Sequence, residues 1–458
     1  MTTAEKHYKK MTETKVSKLV TMLGIPTIIS MLITNIYNLV DTYFVGTLGK
    51  SQQAATGVLF TLQCIIQAIA FMLGHGSGTY VSKALADKDI KESSKYASTA
   101  YYVGGILGIL LMVFGLIFLE PFMKLLGSTN TILPYAKDYG LWVLISCPFM
   151  VWSLVLNNNL RYEGKAFYSM IGLCAGGVLN IFGDYLFVNV YHLGVFGAGM
   201  STGISQIISF ILLYIFYRKF AQSKISIKNI SREWLVYLQI FKAGFPSLIR
   251  QGLTSISSGI LNNLCKPFGD AAIAAMSVVN RFSSFIMCVG LGIGQGFQPV
   301  AAFNYQAKQY TRVKKAMIFT IVFGTILVSI LGIFGIVIPE KIIYLFQHDP
   351  EVIDIGIFAM RMASIGVIAL PLSVTANMLY QSIRKSGVAS FLALLRSGLI
   401  FIPTLFILRY SFGLTGIQLA QPISDIISSL ISIPFILHFI YKTPNTIQID
   451  MEKAEEQA

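Results

Sequence analysis

Two aspartates lie in long apolar stretches of the chain, where an ionisable side chain is costly. Asp41 and Asp184 are the sole acidic residues of the stretches 19–45 and 168–188. Placing such a residue at mid-membrane costs about 2.5–3.5 kcal/mol on insertion scales, so it is kept where it faces a cavity or a partner. We therefore expect both aspartates to bind an ion or a proton, with polar contacts that only hold helices together as the alternative. For Asp425, the third aspartate inside an apolar stretch, both interpretations stay open.

Oxygen-bearing side chains accompany the two aspartates at helical spacing. Asn180 precedes Asp184 by four residues, so the two share one face of a helix. Tyr37 precedes Asp41 by the same interval, and Thr202 opens the apolar stretch that follows Asp184. Carboxylate, amide and hydroxyl oxygens are the ligands of small hard cations. The sequence therefore predicts an Na⁺ site at Asp41, Asn180, Asp184 and Thr202, with a proton on the carboxylates as the alternative.

These residues belong to a chain built of long apolar segments. Of its 458 residues, 54% are hydrophobic and 12% are charged, about half of the charged fraction of an ordinary soluble domain. Each of twelve segments is close to the ~20 residues that a helix needs to cross a bilayer. A β-barrel would instead show alternating segments of ~10 residues. We predict an all-α membrane protein with twelve transmembrane helices, at roughly 19–45, 54–80, 97–118, 138–158, 168–188, 198–217, 237–264, 271–297, 316–338, 357–379, 388–408 and 415–441.

The net charge of +14 is distributed unevenly along the chain. With twelve spans, most of the 35 Lys and Arg fall in the tails and the even-numbered loops, and such an excess marks the cytoplasmic side. The odd-numbered loops contain only Lys50, Lys124, Lys137, Lys266, Lys341 and Arg409. We therefore predict a multi-pass protein of the cell membrane with both termini in the cytoplasm. Topology and contact with the anionic lipid bilayer account for the basic excess, so no nucleic-acid partner is expected.

The chain partly repeats itself at an offset of 220 residues. This offset aligns the octapeptides LGIPTIIS and AGFPSLIR and thus pairs Pro26 with Pro246. Because six is an even number of crossings, two six-helix halves have the same orientation. Parallel repeats of this kind are a transporter architecture, for which a channel or a structural membrane protein has less use. The carboxylate is not repeated, since Asp41 pairs with Leu261.

These features divide the chain into two lobes joined by a polar segment. The predicted parts are a cytoplasmic tail at 1–18, a six-helix lobe at 19–217, a cytoplasmic linker at 218–236, a second six-helix lobe at 237–441 and a cytoplasmic tail at 442–458. Proline removes a backbone hydrogen bond inside a helix. Pro26 is therefore predicted to bend the helix that carries Asp41, either as a static kink or as a moving hinge.

Motifs of catalysis and nucleotide binding are missing from the sequence. It has no Walker motif, no HExxH and no nucleophile elbow, and its glycine runs do not form a GxGxxG loop after a strand. The five cysteines are scattered, without CxxC spacing. We therefore expect neither an enzyme nor a nucleotide-driven pump, and no cofactor apart from H⁺ or Na⁺ as the coupling ion.

The chain resembles the multidrug and toxic compound extrusion (MATE) family. The resemblance rests on the two parallel halves, Pro26 and Asp41 on the first span, the segment GIGQGFQPVAAFNYQA at 292–307 and the basic run at 312–315. It implies efflux of amphipathic, often cationic compounds in exchange for H⁺ or Na⁺, by alternating access. We expect such a protein to function as a monomer.

The resemblance also assigns roles to particular residues. It implies a first-half cation site at Asp41, Asn180, Asp184 and Thr202, and it matches Tyr37, Tyr139 and Asn157 to polar positions of the surrounding substrate cavity. Some members instead use acidic residues on the seventh and tenth spans. Those spans have no internal acid here and offer the amides Gln251, Asn262, Asn263 and, at the end of the tenth, Gln381, so we expect the cation site in the first half alone. The alternative is a flippase for lipid-linked sugars of the same superfamily. Such proteins often have more spans and a strongly cationic cavity, and twelve spans with membrane-embedded acids argue against it.

Overall fold

The computed structural model describes residues 3–444, and within this range all regular structure is helical. Residues 1–2 of the predicted N-terminal tail and 445–458 of the predicted C-terminal tail lie outside the described residues. The first eight helices are α1 (Thr3–Glu13), α2 (Val16–Gly46), α3 (Lys50–Ala86), α4 (Ile90–Ile117), α5 (Leu119–Leu125), α6 (Leu133–Tyr162), α7 (Ala166–Asp184) and α8 (Gly194–Phe220). The next eight are α9 (Trp234–Cys265), α10 (Asp270–Gln306), α11 (Tyr310–Val337), α12 (Pro339–Tyr344), α13 (Pro350–Val367), α14 (Leu370–Ser382), α15 (Ser386–Leu394) and α16 (Phe401–Lys442).

Short segments of other helical types complete the secondary structure. α7 continues as the π-helical segment Tyr185–Val190, and α15 continues as the π-helical segment Leu395–Leu399. Single 3₁₀ turns cover Ile227–Asn229, in the predicted linker, and Lys266–Phe268, after α9.

Twelve crossings can be traced through residues 3–444. Nine helical stretches are long and apolar enough to cross a membrane, and α13 with α14, bent by 44°, makes ten. One of the nine, Ser386–Lys442, has 57 residues, far more than the ~20 that one crossing needs. It breaks at Gly413, whose φ of 59° and ψ of −129° are not helical, so it holds two crossings. The twelfth crossing is α9, whose apolar run is interrupted by Lys242 and Arg250. The predicted fold class is confirmed.

The chain forms two compact units. One contains residues 29–252, and the other contains the described residues up to Ile28 together with the described residues from Leu253 onward. Two helices pass from one unit to the other: α2, two residues after Pro26, and α9, six residues after Pro246. These boundaries differ from those of the predicted lobes, which follow the sequence repeat and are joined by the linker 218–236. The division into lobes therefore stays a prediction.

The linker is an ordered part of the unit of residues 29–252. Serine hydroxyls of α4 accept hydrogen bonds from its main chain, as in the 3.1 Å bond from Ser226 N to Ser98 Oγ. Glu163, directly after α6, is buried and accepts a hydrogen bond from the backbone N–H of Gln222. Burial raises the pKa of this carboxyl to about 7. The linker therefore ties together the ends of α4 and α6.

Candidate functional site

Four helices of the unit of residues 29–252 carry most of the predicted site. Asp41 lies on α2, Tyr139 on α6, and Thr202 on α8. Asn180 and Asp184 lie one turn apart on α7, and Asp184 is its last residue. The structure thus brings together residues that are up to 161 positions apart in the sequence.

Glycines allow these helices to approach one another closely, because they carry no side chain. At Gly199 of α8, an added Cβ atom would lie 2.9 Å from the Cα atom of Tyr139. At Gly177 of α7, an added Cβ atom would lie 2.7 Å from the Cγ2 atom of Ile33 on α2. Both distances are too short for non-bonded carbons, so a larger side chain would push the helices apart. These two glycines therefore help to set the short distances of the polar network.

A chain of hydrogen bonds connects Asp41 to α7. The Tyr139 hydroxyl donates to Asp41 Oδ2 over 2.7 Å and lies 3.1 Å from Thr202 Oγ1. Asn180 Nδ2 donates in turn to Thr202 Oγ1 over 3.1 Å. All four side chains are buried, with between 2% and 7% of their surface exposed. The predicted residues Asp41, Tyr139, Thr202 and Asn180 thus form one network, which we call the carboxylate network together with Asp184.

Asp184 is the most deeply buried acid of this network, with 0% of its surface exposed. Its two carboxylate oxygens make no hydrogen bond of standard geometry, nor does Oδ1 of Asp41. The neighbouring hydroxyl of Ser201 donates instead to the main-chain oxygen of Asn180 over 2.9 Å. Asp184 and Asp41 are close enough to interact electrostatically. Two neighbouring buried acids with open oxygens need a proton or a cation.

The backbone changes its helical type directly after Asp184. Residues Tyr185–Val190 form a π-helical segment, in which each backbone hydrogen bond joins residues five apart in sequence instead of four. Such segments are rare and often occur at functional sites. Here the change of type turns the residues after Asp184 onto another face of the span than an unbroken α-helix would.

The donor set fits a hard monovalent cation. Carboxylate, amide and hydroxyl oxygens are the ligands that such ions take, and Asp41, Asn180 and Asp184 each have an open buried oxygen. Two acids are present, and among residues 3–444 no three His, Cys, Asp or Glu side chains cluster as a metal site. Neutral oxygens would therefore have to complete the coordination of Na⁺. The same carboxylates are equally able to hold a proton.

Two side chains next to the network were not predicted as part of it. Ser201, which precedes Thr202, receives a 3.3 Å hydrogen bond from Asn180 Nδ2. Gln206 of α8 lies one turn further on, beside the buried hydroxyl of Tyr37. The signal for Gln206 was its spacing of four residues from Thr202, since residues four apart on a helix share a face. Ser201 had only its position directly before Thr202 as a signal.

Asn157 lies apart from the network, about 27 Å along α6 from Tyr139 at the rise of an α-helix. Its Nδ2 atom donates to the main-chain oxygen of Ser169 on α7, over 3.1 Å. The offset of 220 residues reproduces this contact in the other half, where Asn377 Nδ2 donates to the main-chain oxygen of Ala389 over 2.6 Å. Asn157 therefore joins two helices in the way that its repeat counterpart does.

The second half pairs its buried acid with a base. Asp425 of α16 is 1% exposed, and its Oδ1 atom lies 2.7 Å from Arg396 Nε. Gln421 Nε2 donates to the same oxygen over 2.8 Å. Arg396 lies in the π-helical segment after α15. The charge of Asp425 is thus balanced inside its own unit.

A repeated helical membrane fold that holds a pair of buried acids in one half is typical of membrane transporters. The family model described as MatE matches residues 26–186 and again 246–407, which cover both halves. The chain therefore belongs to the MATE family, and it is a membrane transporter rather than an enzyme.

Known proteins resemble the chain over nearly its whole length. The multidrug export protein MepA of Staphylococcus haemolyticus (strain JCSC1435) is 26% identical over 440 residues, which are 96% of each chain. A structure described as the outward-facing conformation of a multidrug resistance MATE family transporter superposes with a TM-score of 0.88 at 21% identity, covering 93% of this chain and 96% of that one. A transporter of the MOP superfamily from Pyrococcus furiosus gives the same TM-score and identity, with 94% and 98% covered. The structural matches establish the fold.

Proposed function

We propose that the chain exports amphipathic, often cationic compounds in exchange for H⁺ or Na⁺. Membership of the MATE family and the likeness to the multidrug export protein MepA support the class of substrate. The observation that supports the coupling is the pair of neighbouring buried acids, Asp41 and Asp184. Three of their carboxylate oxygens make no hydrogen bond of standard geometry, and within the described part of the chain no basic side chain donates to either acid. We take the substrate cavity to be lined by Tyr37 and Tyr139, which adjoin these acids.

Coupling follows from competition for the carboxylate network. A bound proton or Na⁺ supplies the positive charge that lets Asp41 and Asp184 stay buried together. In its absence the ionised acids attract the positive charge of a substrate. Tyr139 holds Asp41 by its 2.7 Å hydrogen bond. Asn180 donates to Thr202, whose hydroxyl lies next to that of Tyr139. Exchange then requires that substrate and cation prefer different states of the transporter.

Alternating access would involve a change of shape in α2. Pro26 lacks the N–H that would complete a helical hydrogen bond, so the helix is weakest there. α2 passes from one compact unit to the other two residues later, and Asp41 lies in the unit beyond. Bending at Pro26 would therefore move Asp41 relative to the first turns of α2.

We further propose a location and an assembly for this transporter. The excess of Lys and Arg in the tails and the even-numbered loops supports a cell membrane protein with both termini in the cytoplasm. The carboxylate network is complete within one chain, which supports a functional monomer. A flippase for lipid-linked sugars would need to bind anionic pyrophosphate, and the two buried acids disfavour this.

Transport by purified protein in proteoliposomes tests the proposal. H⁺ and Na⁺ gradients are imposed independently, and efflux of a cationic dye is followed. One of the two gradients should drive efflux by the wild type, and Asp41→Asn should not respond to it. Asp425→Asn is the matched control, because it removes a buried acid of the other half. Efflux that ignores both gradients in the wild type would contradict the proposed function.

A further inference from the structure

The segment at 292–307 and the basic run at 312–315 take no part in the carboxylate network. Both lie in the unit that contains the residues up to Ile28 and those from Leu253 onward. The structure packs them against α1, which lies within the predicted polar tail at 1–18. What these residues do is therefore a question about the N-terminal end of the chain.

α1 is an amphipathic helix that docks through one face. Met11 is fully buried, and His7 is 7% exposed. The His7 ring meets the buried ring of Phe303 edge-on, with 5.4 Å between the ring centroids. The opposite face exposes Lys6 and Lys9. The contact with Phe303 thus buries the apolar face of a helix that would be unstable alone, because it has only 11 residues.

Asn304 and Arg312 bind the carbonyl end of this helix. Asn304 Nδ2 donates to Met11 O over 3.2 Å, and an Arg312 terminal nitrogen donates to the same oxygen over 3.3 Å. The same nitrogen of Arg312 donates to Thr14 O over 2.6 Å. The Nε atom of Arg312 donates to Asn304 Oδ1 over 3.1 Å. The last carbonyls of a helix have no partner within it, and a cation is favourable there. We call Phe303, Asn304 and Arg312 the α1 clamp.

The first turns of α2 continue this attachment. Leu19 and Leu23 are buried. An added Cβ atom at Gly24 would lie 2.6 Å from Ile293 Cδ1, and one at Gly292 would lie 2.7 Å from the Cα atom of Ile28. α2 is therefore in close contact with α10 as far as Ile28, which is where it leaves this unit. The clamp and the glycine contacts together fix the end of α2 opposite to Asp41.

We propose that Asn304 and Arg312 are positioning residues for transport, because they hold the start of α2 through α1. A bend at Pro26 moves Asp41 only if the other end of α2 is fixed. With the clamp open, the start of α2 keeps only its own contacts with α10, and the bend is transmitted less completely to the carboxylate network. The transport part of this inference rests on the proposed function, whereas the docking of α1 does not.

The test separates α1 docking, substrate binding and turnover. Arg312→Gln removes three of the hydrogen bonds of the clamp and leaves the network untouched. Lys315→Gln is the matched control, since it removes a positive charge of the same basic run from an exposed side chain. Amide hydrogen exchange of residues 3–20 reports docking, dye affinity in detergent reports binding, and proteoliposome efflux reports turnover.

The inference makes a distinct prediction for each measurement. In Arg312→Gln, exchange at residues 3–20 accelerates about 10-fold, the loss expected for hydrogen bonds to a charged group. Turnover falls about 5-fold while dye affinity stays within about 2-fold, as expected when an interaction acts in the moving step alone. Lys315→Gln behaves as wild type. Arg312→Lys keeps the positive charge but loses the planar, multiply donating guanidinium, so its exchange rate and turnover should lie between those of Arg312→Gln and the wild type. It replaces Arg312→Gln in the test if that variant does not fold.

Three outcomes would overturn the inference. Faster exchange with normal turnover would show that transport does not need a docked α1. Loss of turnover with α1 still protected, or with an equal loss of dye affinity, would assign Arg312 a different or merely structural role. A wild type that lacks cation-coupled efflux would instead refute the proposed function, and the exchange data would still report the clamp.

Discussion

The two halves bury their acids in opposite ways. In the unit of residues 29–252, Asp41 and Asp184 lie together, and the hydrogen bond that Asp41 accepts comes from the neutral hydroxyl of Tyr139. In the other unit, Asp425 lies 2.7 Å from Arg396. The scaffold around them is shared, as the matching contacts of Asn157 and Asn377 show. An acid that is paired with a basic side chain needs no mobile ion to balance its charge. A pair of acids without a basic side chain needs a cation that binds and dissociates.

The largest effect should come from the acid that Tyr139 holds. Asp41→Asn removes one negative charge and keeps the size of the side chain. We expect gradient-driven efflux to fall about 100-fold, at the upper end of usual coupling free energies, with the protein still folded. Efflux from proteoliposomes and the melting temperature are measured together. Near-normal efflux would end the coupling role of Asp41.

The other residues of the carboxylate network should matter next. Asp184→Asn leaves Asp41 as the sole acid, and Asn180→Ala removes the amide that connects α7 to Thr202. We expect the cation concentration for half-maximal efflux to rise about 10-fold in each, the effect of a lost hydrogen bond or ligand at a charged site. Ser209→Ala, on α8 away from the network, is a control, since its hydroxyl donates to Gly172 O. An unchanged cation dependence in both network variants would restrict the site to Asp41.

The two prolines compare the helices that carry or lack an acid. Pro26→Ala restores a helical hydrogen bond in α2, so we expect turnover to fall about 5-fold with little change in substrate affinity. Pro246→Ala should have a weaker effect, because no carboxylate lies on α9. Turnover and affinity are measured for both variants in parallel. An equal loss of turnover would mean that the prolines serve only the shared scaffold.

The smallest effect on coupling should come from the paired acid. Asp425→Asn keeps a polar side chain near Arg396 and Gln421, and the first half has Gln206 at the aligned position. We expect the cation dependence to change less than about 2-fold, while the melting temperature falls because a buried ion pair is broken. Titration of efflux against cation concentration and thermal unfolding measure the two effects. A lost cation response at unchanged stability would place coupling in the second half.

The sequence was sufficient for the fold class and for much of the network. Apolar length and charge bias predict twelve spans, and the interval of four residues places Asn180 with Asp184 on one face. These signals are local, so they survive without knowledge of the packing. The position of Tyr139 depends on contacts between helices and came from the family resemblance alone.

Other features depend on packing that no local pattern encodes. Arg396 and Asp425 are 29 residues apart, and their pairing requires the π-helical segment after α15 to lie beside α16. The polar tail at 1–18 contains the docked helix α1, whose short apolar face is too weak a signal by itself. Asn157 matches a family position in sequence, yet it lies far along α6 from the acids.

Substrate affinity across a pH series, with and without Na⁺, is the most direct test of the central claim. It is measured for the wild type, for Asp41→Asn with Asp184→Asn, and for Asp425→Asn. We predict that wild-type affinity responds to pH or to Na⁺, that the double variant loses this response, and that Asp425→Asn keeps it. Affinity that ignores both variables in the wild type would contradict the account. So would a response that survives in the double variant and disappears in Asp425→Asn.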